Sequence, residues 1–288
     1  MKNLLIILVM LSGLRLNAQF PFTKTVSFGK FENASAFSIT DNGYVYVADS
    51  YSNEIFKFDT LGTLFKFIGG YGWEDAQFDE PADIYANTLN VYVADKNNNR
   101  IQIFDKDLNF LSGFKNQPNE ESDLGFAYPV SCVVSGQGDL FILDSDNSRI
   151  LKYDLNGNFL QEIGGIDAGD FSVTQPEKLA ISADGKIYVL DDGLILVYDY
   201  YGNGLFKIKI GFDATNIGMS GNSLSVNNES QITVFNLREN SSLHISKEQL
   251  GLSDNANIVE AVPRNNKIYV LTETEIIVYT SYENQAGK

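Results

Sequence analysis

One short pattern returns along the chain and restricts its fold more than any other feature. Val45-Tyr46-Val47-Ala48-Asp49, Val91-Tyr92-Val93-Ala94-Asp95, Leu140-Phe141-Ile142-Leu143-Asp144 and Ile187-Tyr188-Val189-Leu190-Asp191 are four copies of an apolar run ending in aspartate. The aspartates stand 46, 49 and 47 residues apart. Two eroded copies follow, Leu224-Ser225-Val226-Asn227-Asn228 and Ile268-Tyr269-Val270-Leu271-Thr272. A period of roughly 40–50 residues filled by several short strands marks a β-propeller rather than a sandwich or a helical array. The spacing predicts an all-β chain, a six-bladed β-propeller of four-stranded blades.

The first unit parses into strands at Ala34 to Thr40, Tyr44 to Asp49, Glu54 to Phe58 and Thr63 to Ile68. Alternation in Ile55-Phe56-Lys57-Phe58 and Leu64-Phe65-Lys66-Phe67 is the period of half-buried strands. The unbroken apolar runs suit strands covered on both faces. Turns such as Phe58-Asp59-Thr60-Leu61-Gly62, Tyr153-Asp154-Leu155-Asn156-Gly157 and Tyr198-Asp199-Tyr200-Tyr201-Gly202 recur. Their Asp bonds backbone amides and their Gly accepts positive φ. The sixth unit offers three strands, Asn257 to Val262, Lys267 to Thr272 and Glu275 to Thr280. Thr23 to Phe28 reads as a fourth strand with no blade of its own. Pairing it with Glu275 to Thr280 closes the ring and leaves no open edge.

Residues 1–18 read as a signal peptide: Lys2, an 11-residue apolar stretch from Leu4 to Leu14, then Leu16-Asn17-Ala18 before Gln19. That stretch is short of the about 20 residues needed to span a bilayer. The expected mature chain, 19–288, is one propeller domain, exported to the periplasm or secreted, without membrane insertion, and monomeric. The net charge of −16 becomes −18 once Lys2 and Arg15 leave with the leader. That charge opposes binding to nucleic acid and favours cationic partners. Cys132 is the only cysteine, so no intrachain disulfide can form; its apolar strand makes it a small core residue.

The repeat resembles that of the NHL family of β-propellers. The resemblance rests on Gly69-Gly70-Tyr71-Gly72, Gln77-Phe78, Pro81, Val93-Ala94-Asp95, Asn98 and Arg100-Ile101. The third unit repeats it through Gly125-Phe126, Pro129, Asp144, Asn147 and Arg149-Ile150. The fourth keeps Gly164-Gly165, Phe171, Pro176 and Asp191 but has Asp192-Gly193 in place of the Asn/Arg turn. Motif detail covers blades one to four, and the last two units keep strand patterning only. The resemblance implies fold rather than activity, since propellers host unrelated functions. Asp49, Asp95, Asp144 and Asp191, with Arg100 and Arg149, are expected to be structural, each carboxylate capping loop amides and each Arg pairing with it or with a neighbouring blade.

No catalytic residue stands out. Asp105-x-Asp107-x-Asn109 and Asp154-x-Asn156-x-Asn158 resemble the start of a calcium loop but carry Phe110 and Phe159 where glycine is required. His244 is the only histidine, so a histidine metal site or a Ser-His-Asp triad has almost no material.

The candidate site is a loop face. Three successive long loops carry Glu74, Asp75, Asp79 and Glu80, then Glu120, Glu121 and Asp123, then Asp167 and Asp170, nine carboxylates against the one base Lys115. The same loops hold Tyr71, Phe126, Tyr128 and the sole tryptophan, Trp73. Aromatics among carboxylates suit a basic protein or peptide; plain solvated loops on an acidic exported protein are the other account. A second candidate is the channel mouth, where the inner strands align Ala36, Asp83, Ser131, Lys178, Asn216 and Asn257. These would hold ordered water or a small ligand.

The leading expectation is a non-enzymatic binding or scaffold propeller without cofactor. The alternative is a metal-dependent propeller enzyme. Related propellers include peptide-amidating lyases and gluconolactonase-like hydrolases with a metal in the channel. The former use histidine ligands that this chain lacks; the latter's ligands could be mimicked by Asp83, Asn216 and Asn257, around a divalent metal.

Overall fold

The computed structural model describes residues 22–115 and 125–281. Among the described residues, twenty-four strands form six antiparallel sheets of four. The inner strands are Ala34–Ile39, Pro81–Ala86, Pro129–Val134, Pro176–Ile181, Asn216–Ser220 and Ile258–Arg264. Phe22–Phe28 pairs antiparallel with Ile276–Ser281 and completes the sixth blade as its outermost strand, as the strand count predicts. The expected leader, residues 1–18, lies outside the described residues.

The second strands explain both the repeat and the ring. Along Tyr44–Asp49, Val45 and Val47 pack against blade six while Tyr46 and Ala48 pack against blade two. Along Asn90–Asp95, Val91 and Val93 face blade one, and Tyr92 and Ala94 face blade three. Successive side chains of a strand point to opposite faces. A blade flanked on both sides therefore needs every position apolar, which is the run read in the sequence. Six apolar clusters result, one per junction between consecutive blades, and the junction of blade six with blade one closes the circle.

Blade five shows why its copy looks eroded. Leu224 and Val226 still pack toward blade four. Ser225 and Asn227, on the other face, instead hydrogen-bond backbone carbonyls of blade six: Ser225 Oγ donates to Ala261 O, and Asn227 Nδ2 to Val259 O at 3.0 Å. Gly218 permits this close approach, since a Cβ there would stand 2.8 Å from Ala261 O. These polar bonds add to the apolar cluster of the same junction and make it tight rather than degenerate.

Candidate functional site

The loop joining blades one and two, residues 70–80, is held from beneath by blade two. Arg100 is 1 % exposed and donates from Nε to Asp95 Oδ2 at 2.6 Å. Its Nη1 donates to Trp73 O at 2.8 Å, and its Nη2 to Glu74 O and Gln77 O at 2.9 Å each. Asn98 Nδ2 adds a bond to Gly72 O at 2.8 Å, and Gln102 clasps Gln77 O and Ala76 N at 2.6 and 2.9 Å. One guanidinium thus gathers three carbonyls that a surface loop would otherwise leave to water. Gly69 enters the loop at φ 127°, where a Cβ would lie 2.3 Å from Asn53 O.

With its backbone tied down, the loop turns its side chains outward. Tyr71 and Trp73 are 70 % and 68 % exposed, and Glu74 and Asp75 are exposed beside them. Asp79 is half-buried; its amide donates to Asp95 Oδ1 at 2.8 Å, and its carboxylate accepts from Asn97 Nδ2 at 3.0 Å. Tyr128 is 42 % exposed on the next loop, while Phe126 is buried between blades two and three. Asp167 and Asp170 are exposed on the short helical turn Ile166–Phe171 after blade three. Glu120, Glu121 and Asp123 lie outside the described residues.

The four repeated aspartates all bind backbone. Asp49 accepts from the amides of Glu32, Asn33, Tyr51 and Ser52. Asp144 accepts from Ala127 N and from Arg149 Nε, the latter at 3.0 Å, and Arg149 reaches Gly125 O and Glu162. Asp191 Oδ1 takes Thr174 N and Gln175 N, and its Oδ2 accepts from Thr174 Oγ1 at 3.0 Å, where arginine donates in blades two and three. Blade-to-blade latches cross the same face: Asn53 Oδ1 accepts from Glu80 N at 2.8 Å, and Asn99 Oδ1 from Tyr128 N at 2.7 Å.

In the calcium-like turns the carboxylates are occupied by their own loops. Asp105 accepts from the Asp107 and Asn109 amides and from Asn109 Nδ2, and Asp154 does the same with Asn156 and Asn158. Side-chain and backbone bonds from Asn158 hold the Asp154 carboxyl below its usual range. His244 sits exposed on the outermost strand of blade five, its Nδ1 3.3 Å from Thr233 Oγ1.

The channel differs from the sequence alignment at one position. In blades two to four the channel residue stands two places after the strand-opening proline, across a bulge: Asp83 after Pro81, Ser131 after Pro129, Lys178 after Pro176. Blade six has the same bulge between Ile258 and Glu260 but no proline to mark it. Glu260, not Asn257, therefore occupies the inner position; Asn257 precedes the strand and donates to Glu273 Oε1 at 3.0 Å. Ala36 and Asn216 hold the equivalent places in blades one and five.

The corrected ring contains a buried ionic triad. Lys178 Nζ lies 2.6 Å from Asp83 Oδ1 and 3.4 Å from Glu260 Oε2. Asp83 Oδ2 also accepts from Ser131 Oγ at 2.5 Å and from Cys132 N at 3.3 Å. Glu260 Oε2 accepts from Phe37 N at 3.1 Å, and Ser131 Oγ from Leu179 N at 3.0 Å. Asp83, Ser131 and Glu260 each satisfy an inner-strand amide of another blade, amides that would otherwise be a free sheet edge. Burial pushes Glu260 up to about 7, and Lys178 pulls against that shift. Burial opposes the Lys178 charge, but Asp83 and Glu260 together more than restore it and hold the ammonium above its usual value. A divalent metal on Asp83, Asn216 and Asn257 does not fit: Asn257 is elsewhere, and Lys178 already supplies the cation beside Asp83. No cluster of three His, Cys, Asp or Glu side chains suited to a metal occurs among the described residues. Nor does any helix among them have the length and apolarity to cross a membrane.

Residues 78–104 match the NHL repeat model, the stretch that contains the Asp95–Arg100 clamp. Protein brain tumor of Drosophila melanogaster is 31 % identical over 144 residues, covering 49 % of this chain and 13 % of that protein. NHL repeat-containing protein 3 of Mus musculus is 25 % identical over 182 residues, covering 59 % of this chain. The match spans 50 % of that mouse protein's length. Among solved structures, virginiamycin B lyase from Staphylococcus aureus superposes with a TM-score of 0.60 at 14 % identity, over 91 % of this chain and 100 % of that one. A streptogramin B lyase gives 0.62 at 12 %, over 91 % and 98 %. At such identities the likeness is one of fold. The chain is a six-bladed β-propeller in which one stretch, in blade two, matches the NHL repeat.

Proposed function

We propose that this propeller is an exported, non-enzymatic binding module that offers the loop face over blades one to three to a basic protein or peptide. The observation that carries the reading is the pairing of exposed aromatics with an immobilised backbone. Tyr71 and Trp73 stand clear of the surface on a loop whose carbonyls are fixed by a fully buried arginine. Large apolar side chains left in water cost solubility, and ordering a loop on binding costs conformational entropy. A loop ordered in advance avoids the second cost, which is the usual design of a binding hot spot. Glu74, Asp75, Asp167 and Asp170 give the same face a negative field, in a chain of net charge −16.

Trp73 is the only tryptophan, so its fluorescence reports on this loop alone. Titration with an arginine-rich peptide is expected to shift and quench the emission, and the effect is expected to weaken with added salt. An unchanged emission together with no heat of binding in calorimetry would remove the loop face from consideration. An acidic peptide of equal length serves as the control and is expected to do nothing.

A further inference from the structure

On the face opposite the 70–80 loop, the channel widens into a funnel of about 370 Å3. That is within the range of small-molecule sites, roughly 300–1,000 Å3. Its floor is Asp83, Lys178 and Glu260; Ile84, Ile181, Ile217 and Val262 contribute to an apolar wall; Thr88, Ser220 and Arg264 stand toward the mouth. The floor is deeply buried, with Asp83 and Glu260 2 % and 3 % exposed and Lys178 8 %.

Two observations give the funnel a preference. First, two carboxylates face one ammonium, so the ionised floor carries an excess negative charge at low dielectric. Lys178 is saturated by that pair and has little to offer an anion. Second, Glu260 is engaged only through Oε2, which takes Phe37 N and Lys178; its Oε1 has no partner among the described residues. That oxygen is the one on Glu260 left for a donor from within the funnel, which Glu260 lines. The floor is short of donors and of positive charge, and the wall above it is apolar.

We propose that the funnel binds a small organic amine, its ammonium set against Glu260 and its apolar body along Ile84, Ile217 and Val262. An ammonium brings three donors and the missing charge, which a neutral or anionic molecule of the same shape does not. The site is on the other side of the molecule from the loop face and is independent of the function proposed for it.

The charged groups around Glu260 are Lys178 and Asp83 on the floor, with Arg264 and Asp41 paired near the mouth. Of the other titratable groups lining the funnel, burial pushes Cys132 far up and Tyr85 to about 12. Glu260 is therefore the group that changes charge near neutrality, and amine binding requires its ionised form. Affinity should rise with pH through about 7 and fall by up to about tenfold per pH unit below it.

The test is calorimetry in phosphate buffer with benzylamine, benzyl alcohol and benzoate as probes. Saturable benzylamine binding at least tenfold tighter than the other two, weakening from pH 8 to pH 5, is the expected result. Equal binding of benzyl alcohol, or no benzylamine binding at millimolar concentration, overturns the proposal. Glu260→Gln should lose at least tenfold in affinity and all of the pH dependence; unchanged binding in that variant also overturns it. Should Glu260→Gln fail to fold, Ser220→Trp obstructs the mouth without touching the floor. It is expected to abolish binding, and retained binding would place the amine elsewhere.

Discussion

Two of the buried ionic groups among the described residues are built in opposite ways. The Asp95–Arg100 clamp joins residues five apart in one blade, facing each other across a single hairpin. The Asp83–Lys178–Glu260 triad joins blades two, four and six, whose members are 95 and 82 residues apart. The clamp's arginine spends its remaining donors on loop carbonyls and so shapes a surface. The triad spends its acceptors on inner-strand amides and so shapes the channel. A local pair can be copied with the repeat, and blade three carries a second version in Asp144–Arg149. A triad across the ring belongs to no single repeat and occurs once.

The largest effect should come from breaking the local pair. Arg100→Met leaves Asp95 charged and buried and abandons three carbonyls, a loss of about 3–5 kcal/mol. Urea denaturation measures it, and a loss below about 1 kcal/mol would show that the clamp is not what fixes the loop. Lys178→Met should cost somewhat less, about 3 kcal/mol at pH 8, because Glu260 can escape by taking up a proton. The distinguishing sign is pH. The folded-state value of Glu260, about 7, lies above its unfolded value. Its contribution to stability is therefore present below about pH 4 and is lost as pH rises through 7. Removing Lys178 raises the value further, so Lys178→Met should recover stability on acidification from pH 8 to pH 5 more than the parent does. Glu260→Gln should flatten that slope, and a variant series with parallel pH profiles would contradict the triad. The turn aspartates run the other way. Asp59, Asp105, Asp154 and Asp199 are held below their usual range, so what they contribute is lost as pH falls below about 4.

A smaller effect should separate the two clamps. Arg149 is 12 % exposed and its second partner, Glu162, is 37 % exposed, so solvent screens part of what Arg149 does. Arg149→Met is expected to cost about 1–3 kcal/mol, less than Arg100→Met in the same assay. Equal losses would mean that burial is not what sets the difference.

The same contrast decides what was legible in the sequence. Residues five apart on either side of a hairpin are neighbours by spacing alone, so the Asp/Arg pairing, the blade period and the closing strand could all be read. The apolar runs were readable because both faces of a blade impose one requirement. The channel ring was readable where Pro81, Pro129 and Pro176 marked the strand start, and at Ala36 and Asn216 in blades one and five. Blade six opens with Ile258 and keeps its bulge, so counting from an assumed start at Asn257 missed Glu260 by three residues. The triad needs that register and the relative position of three blades, and no periodicity in one chain encodes either. Pro263 and Arg264 near the end of that inner strand further disguise it.

The smallest effect on stability belongs to the residue with the largest proposed role. Trp73 has its carbonyl in the clamp and its indole in water, so truncating the side chain removes no buried contact and no clamp bond. Trp73→Ala should change the unfolding free energy by no more than about 0.5 kcal/mol. Its binding of an arginine-rich peptide, measured by calorimetry, should nonetheless fall at least tenfold, since exposed aromatic anchors dominate such interfaces. Arg100→Met gives the complementary result: the indole is retained but the loop beneath it is released, so affinity should drop through the cost of ordering the loop. If Trp73→Ala binds as well as the parent while Arg100→Met does not, the recognised surface is the clamped backbone and its carboxylates rather than the aromatic side chain.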